Sequence, residues 1–413
     1  MIARGRVERV DAALLVARVV GAAVGDGVRV AGEGATGEVR RIDGSLAYVA
    51  MHGGLDGMAA GSEVWIDPSV STMALGTCAL GRAIDARGLP LDGGARVRGR
   101  TVWLGVAAPA RRVPVVAALW TGIRAIDGLL CLGVGARIGI FGPPGAGKST
   151  LLDALARARA DAVVVALVGE RGREAQRWVE CCDPRTTVVC ATSDRPAAER
   201  VRAVHVALAH AAALRERGLD VLVLLDSLAR TAGALRELGV AAGESVGRGG
   251  YPPSVFAQLA RLVEVCGATA TGSITLVATV LDDGEERDPV SDAARSLLDG
   301  HVQLSAKLAR AGRFPAIDVP ASASRTMASV VDARHACAAG IVREAAAALE
   351  RTEDARSLGI AVEGELLQAA LRCERELDAF LRQDAEPYAP EQTRAALFAL
   401  AALLQGNAAA TER

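Results

Sequence analysis

A run of nine residues, Gly142-Pro143-Pro144-Gly145-Ala146-Gly147-Lys148-Ser149-Thr150, satisfies the pattern G-x-x-x-x-G-K-[ST]. The chemistry this pattern serves is the gripping of phosphate. Its glycines let backbone N–H groups turn inward around phosphate oxygens at a helix N-terminus, the Lys148 ammonium can reach β and γ phosphates, and the Ser149 hydroxyl can ligate Mg2+. The flanks separate it from a glycine-rich turn that merely contains Gly-Lys-Ser. An apolar stretch, ARIGIF, leads directly into the loop and LLDALARARA, with helical character, follows it, so strand, loop and helix come in the required order.

Two carboxylates are the next candidates. The stretch VLVLLDSLAR ends an apolar run at Asp226, where a carboxylate would sit beside the Mg2+ of a bound nucleotide. The following residue is Ser227 and not Glu, so a water-activating base must come from elsewhere. Glu170 is that candidate. It ends the run DAVVVALVG in Gly169-Glu170-Arg171-Gly172-Arg173-Glu174, and a carboxylate at the carboxyl edge of a strand beside the phosphate-loop strand can orient water for in-line attack on a γ-phosphate. Arg171 is expected near the phosphates. Spacing alone leaves a second reading open, a solvated cluster in which Glu and Arg alternate.

These groups need a rigid frame. Between about residues 124 and 331, apolar runs without polar alternation (ARIGIFG, DAVVVALVG, RTTVVCAT, DVLVLLD, SITLVATV, GHVQLS) alternate with longer helical segments. Strands of that kind are covered on both faces, which predicts a mainly parallel sheet flanked by helices. Over residues 4–68, short Val/Ile-rich bursts punctuated by Gly and Asp-Gly predict a small all-β barrel. Residues 81–94 (GRAIDARGLPLDGG) and 109–114 are turn-rich and read as a linker. From His335 onward Ala, Leu, Glu and Arg recur at helical spacing. The expected division is a barrel over 1–75, an α/β core over 76–333 with a linker at 76–120, and a helical domain over 334–413.

Composition narrows the function. With 47 Lys plus Arg against 48 Asp plus Glu, the net charge of −1 supplies no field to hold the chain on a polyanion. A barrel that grips single strands stacks bases on aromatics, and the segment to Pro68 offers only Tyr48 and Trp65, so no nucleic-acid partner is expected. Aromatics are 3% against 51% hydrophobic residues, hence a core of Ala, Val and Leu. The opening MIARGRVERVD carries charge where a secretory leader is apolar, and no strongly apolar run of about 18 residues follows, so neither leader nor membrane span is expected. The eight Cys are scattered, with Cys181 and Cys182 adjacent and no CxxC pair, and the five His show no ligand spacing. No zinc site or disulfide framework is indicated, and a reducing cytosol is the expected location.

Taken together, these segments resemble the hexameric ATPases of type III secretion and flagellar export, relatives of the catalytic subunit of rotary ATP synthases. The resemblance runs through LGRAIDARGLPLDGG, TGIRAIDGLLCLGVGARIGIFGPPGAGKSTLL, GERGRE, VVCATSDRPAAERVRA, LLDSLAR, GYPPSVFAQLARLVEVCG, RSLLDGHVQLSAKLARAGRFPAIDVPASASR and FLRQ. It implies an α/β fold with a RecA-like P-loop ATPase core, a small N-terminal β-barrel and a C-terminal helical domain. Carried over, Lys148 and Ser149 match the family's phosphate and Mg2+ contacts, Glu170 its catalytic glutamate, and Asp226 its Walker B residue, reaching the ion directly or through water. Arg325, in Ala-Ser-Arg-Thr-Met, matches the arginine that enters the neighbouring subunit's site. Phe314, in GRFPAID, falls where rotary relatives carry an aromatic that packs on adenine, while core packing is equally open by residue type. Gly249-Gly250-Tyr251-Pro252-Pro253 matches a segment facing the central channel, with a tight surface turn as the plainer reading.

The resemblance thus implies an ATP-hydrolysing homohexameric motor of a type III secretion system that uses ATP and Mg2+, releases chaperones and unfolds export substrates. Implied partners are a central stalk, a regulator or stator protein, chaperone–substrate complexes and the export gate, with the ring peripheral to the cytosolic face of the inner membrane. The SDRPAAERVRA segment sides with injectisome members; a flagellar export ATPase is the alternative. A rotary synthase subunit fits less well, because one polypeptide carries both Glu170 and Arg325, duties that rotary enzymes divide between two subunit types. The chain departs from the family at Ala136 (GQR becomes GAR), at Ala306 (LSR becomes LSA), at Thr231, where an aromatic often stands, and in the Pro143-Pro144 pair. None of these removes a catalytic group.

Overall fold

Six strands close into an antiparallel barrel in the order Arg4–Val10, Leu15–Val19, Leu46–His52, Thr36–Asp43, Gly27–Val30 and Glu63–Ile66. Alternate residues point inward, and small or β-branched side chains such as Val7, Ala17, Val28, Val39, Val49 and Val64 fill the narrow interior. The computed structural model describes residues 3–406 except 12, 33, 34, 181, 283–287 and 385, so Cys181 lies outside the described residues.

The chain divides into two compact units. The first comprises residues 1–112, 161–278 and 288–293. Besides the barrel it holds parallel strands in the order Ser273–Leu281 (to residue 278), Asp220–Asp226, Ala162–Val168, Thr186–Ala191 and Ala83–Asp85. Ala162–Val168 and Thr186–Ala191 are buried throughout, as expected of strands without polar alternation. The Ala-rich helix Ala197–Arg215 packs on three of these strands.

One segment differs from its sequence reading. Residues 81–94 read as linker, yet Ala83, Ile84 and Asp85 form a strand parallel to Val188, Val189 and Cys190. Three residues are too few to show a hydrophobic period. The turn signals around them are real: the Asp85 carboxylate accepts the N–H groups of Arg87 and Leu89, each at 2.8 Å.

The second unit comprises residues 113–160, 279–287 and 294–413. Here Arg137–Gly142 runs parallel to Gly300–Leu304, which pairs antiparallel with Ile317–Ser324. The helix predicted over LLDALARARA ends at Leu155. Beyond it the turns tighten, with Arg157 N–H donating to Ala154 and Ala158 N–H to Leu155. Past residue 332 this unit continues through the helices Ala333–Ser357, Glu365–Arg372, Glu374–Leu381 and Pro390–Leu404. Asp332 caps the first by accepting the His335 N–H at 2.8 Å. Among the described residues no helix is long and apolar enough to cross a membrane.

Candidate active site

Strand Arg137–Gly142 delivers the chain into the phosphate loop, and helix Lys148–Leu155 carries it away. Gly147 stands at the helix N-cap with φ +92°, a left-handed conformation that a β-carbon would disfavour. No side chain caps this helix, an arrangement that leaves its first-turn N–H groups to an anion. The Lys148 ammonium donates to the carbonyls of Gly142 at 2.7 Å and Pro143 at 2.8 Å, so it curls over the loop where phosphate would lie.

Beside the loop is a cavity of about 390 Å3 whose walls include Thr121, Gly122, Gly147, Thr150, Phe314 and Gln383. That volume falls within the range of small-molecule sites. Phe314 is 44% exposed, and its ring edge lies 3.9 Å from where a β-carbon on Gly147 would stand. Of the two readings left open for this residue, the structure makes it a cavity wall and not a core side chain. The Phe314-Pro315 peptide is cis.

The carboxylates belong to the other unit. Asp226 ends a strand whose register pairs it with Leu167, and Glu170 follows the end of that neighbouring strand, so adjacent parallel strands present both at their carboxyl ends. Glu170 is 6% exposed. Burial first, then the nearby Asp226 carboxylate, push its carboxyl up to about 7, while the Arg230 guanidinium at 2.6 Å pulls it down. Glu170 is thus buried, whereas the neighbouring Arg171, Arg173 and Glu174 are exposed. Arg171 contributes its carbonyl, which accepts the Glu174 N–H at 2.9 Å as helix Gly172–Glu180 begins.

Sequence reasoning gave no place at the site to Arg230, which the structure sets against Glu170. Ser227, joined to Asp226 by a cis peptide, caps helix Leu228–Ala241 by accepting the Arg230 N–H at 3.2 Å. That cap fixes Arg230 in the first turn, facing the strand end, and a Ser directly after a strand-terminal Asp is the signal that could have located it. Thr231, where relatives often carry an aromatic, is fully buried with its hydroxyl donating to the Ser227 carbonyl at 2.9 Å.

The Ser149 hydroxyl in one unit and the Asp226 carboxylate in the other are each hard oxygen donors, the kind that suits a hard divalent cation. Two buried carboxylates whose repulsion raises one pKa also mark a place where a cation is welcome. Among the described residues no group of three or more His, Cys, Asp or Glu could hold a metal ion.

Arg325 follows strand Ile317–Ser324; its N–H donates to the Asp299 carbonyl at 3.0 Å and its side chain is exposed. In the segment holding Gly249 and Gly250, the Tyr251 ring lies 5.4 Å from the Arg236 guanidinium and 6.0 Å from the Phe256 ring.

The ATP synthase alpha/beta family, nucleotide-binding domain, matches residues 122–324. A type 3 secretion system ATPase of Pseudomonas syringae pv. syringae is 40% identical, over 94% of this chain and 91% of its own length. A flagellum-specific ATP synthase of Pseudomonas aeruginosa is 38% identical, over 99% and 94%. Among solved structures, the assembled ATPase EscN of the enteropathogenic E. coli type III secretion system superposes with a TM-score of 0.90 at 34% identity, covering 96% of this chain and 100% of that one. The same ATPase in complex with its central stalk EscO gives 0.88, with the same identity and coverage.

Proposed function

The chain belongs to the type 3 secretion system ATPases, within the ATP synthase alpha/beta family, and on that premise we propose that it works as a homohexameric ring at the cytosolic face of the inner membrane, releasing chaperones from export substrates and unfolding them. Its activity is ATP hydrolysis in type III protein secretion. The EscN–EscO complex supports a central stalk as one partner. A regulator or stator protein, chaperone–substrate complexes and the export gate complete the proposed set. The flagellum-specific relative, matching 99% of the chain, supports flagellar export as the second reading.

In this reading residues 142–150 wrap the β and γ phosphates, the backbone N–H groups of all but Pro143 and Pro144 being the donors together with the Lys148 ammonium, with Arg171 nearby, and Phe314 packs on the base. Ser149 and Asp226 would hold Mg2+, which when bound neutralises phosphate charge. Glu170, once ionised, orients water and accepts its proton as the new P–O bond forms and the bond to the β-phosphate oxygen breaks, releasing ADP. Arg230 keeps the Glu170 carboxylate turned toward its task. Arg325 of a neighbouring chain meets the charge that spreads over the transferring phosphoryl group.

The observation that carries the reading is the placement of the buried Glu170 carboxyl beyond the carboxyl end of a strand adjacent to the one that Asp226 ends, with the Arg230 guanidinium 2.6 Å away; burial and Asp226 raise it, as suits a general base. The test is a Glu170→Gln protein. Nucleotide binding is expected to persist while turnover falls about 10² to 10⁴-fold, the usual worth of a positioned base; turnover at the normal rate would overturn the reading.

A further inference from the structure

We infer that Gln383 is the positioning residue for the base end of the nucleotide cavity, fastening together the three backbone segments that wall it. The inference rests on the reading of that cavity as the seat of the base. Gln383 ends the FLRQ motif, just after helix Glu374–Leu381. Its main-chain N–H donates to the Phe314 carbonyl at 2.8 Å. Its side-chain Oε1 accepts the Arg124 N–H at 2.9 Å, and Nε2 donates to the carbonyls of Gly122 at 2.8 Å and Glu386 at 2.9 Å. Only this orientation of the amide works, since the reverse would set oxygen against two carbonyls and nitrogen against an N–H.

The partners are themselves held. The Gly122 carbonyl also accepts the Tyr388 N–H at 2.9 Å. Gly122 has φ +77°, and a β-carbon there would lie 2.5 Å from Cβ of Pro387, so the turn and the 386–388 segment meet in a contact that only glycine permits. From the opposite side the Asp127 carboxylate accepts the N–H groups of Thr121 and Gly122 at 2.9 and 2.7 Å. The Arg124 guanidinium lies 4.1 Å from the Tyr388 ring centre and donates to the carbonyls of Ala379 and Arg382.

Both Nε2 hydrogens are committed to carbonyls, so Gln383 has none left for a base. It acts through Phe314 and Gly122, whose positions set the width of the slot that a planar ring must enter. Substitution should therefore weaken recognition of the base and spare recognition of the phosphates.

The test measures binding of ATP and of inorganic tripolyphosphate to the full chain, wild type against Gln383→Glu, Gln383→Met and Gln383→Ala. Glu keeps the shape but points an oxygen at two carbonyls; Met keeps the length without charge and covers failure of the Glu variant to fold. The expected result is an ATP Kd raised about tenfold with the tripolyphosphate Kd within about twofold of wild type. Parallel weakening of both ligands, or no change in either, overturns the inference. Phe314→Ala separates it from the reading beneath it: if that variant binds ATP normally the base does not sit in this cavity, whereas if it weakens ATP while the Gln383 variants do not, the positioning role alone fails.

Discussion

The Arg230 guanidinium lies 2.6 Å from the Glu170 carboxylate and also donates to the Gly169 carbonyl, so the first turn of helix Leu228–Ala241 is fastened to the chain leaving strand Ala162–Val168. Its positive charge opposes the burial and the Asp226 carboxylate that together raise Glu170 to about 7. Ionised Glu170 is the form that can take a proton from water, so kcat/KM should fall as pH drops below about 7. Removing the cation in Arg230→Gln leaves the upward influences unopposed, and the acid limb should move to higher pH, slowing the enzyme several-fold at pH 7 with less loss at pH 9. A kcat/KM profile between pH 5.5 and 9 checks this; an acid limb that does not move would remove Arg230 from control of the base.

Asp127 invites a test of stability. It is 2% exposed and accepts both N–H groups of the 121–122 turn and the Thr121 hydroxyl, yet burial raises its carboxyl to about 6. A native value above the unfolded value of about 3.9 means that the folded chain binds this proton more tightly. Its contribution to stability is therefore full below about pH 4 and is lost as pH rises through about 6. Asp127→Asn turns an NH2 group toward a buried N–H, at a cost of about 1 to 3 kcal/mol. Urea unfolding should show that deficit at pH 8 and a larger one at pH 5, because only the wild type gains on protonation. A deficit that shrinks toward pH 5 would mean that the three hydrogen bonds outweigh burial.

The difference between what the sequence disclosed and what it concealed is one of range. The phosphate loop is contiguous, and its strand and helix flank it directly, so residues 142–150 were legible as a unit. Asp226 and Glu170 were legible because each ends an apolar run, and a strand end is visible in a single line of sequence. Arg230 was not, because its role arises from a helix cap that turns it toward a strand end some sixty residues away. The strand at Ala83–Asp85 is too short for any period to register. Gln383 stood inside a recognised motif without a role, since its partners Gly122, Arg124 and Phe314 are distant in sequence and are met through their backbones, which carry no residue-type signature.

Arg325 offers the sharpest test of assembly. Its main chain is tied to Asp299 just past strand Ile317–Ser324 and its side chain is exposed; the proposal has that side chain serve a neighbouring chain. An arginine finger supplied in trans is worth about 10³ to 10⁵ in kcat, so Arg325→Ala alone should be nearly inactive, and Lys148→Ala, lacking its phosphate grip, likewise. Mixed in equal amounts before assembly, the two should recover activity. In a head-to-tail ring each site joins the loop of one chain to the finger of the next, so roughly a quarter of the interfaces would pair an intact loop with an intact finger. If both groups had to come from the same chain, no interface would be competent, because neither protein carries the full set. ATP hydrolysis by the mixture, compared with each variant at the same total concentration, decides between these arrangements: activity no higher than the parents' would place Arg325 outside the neighbouring site.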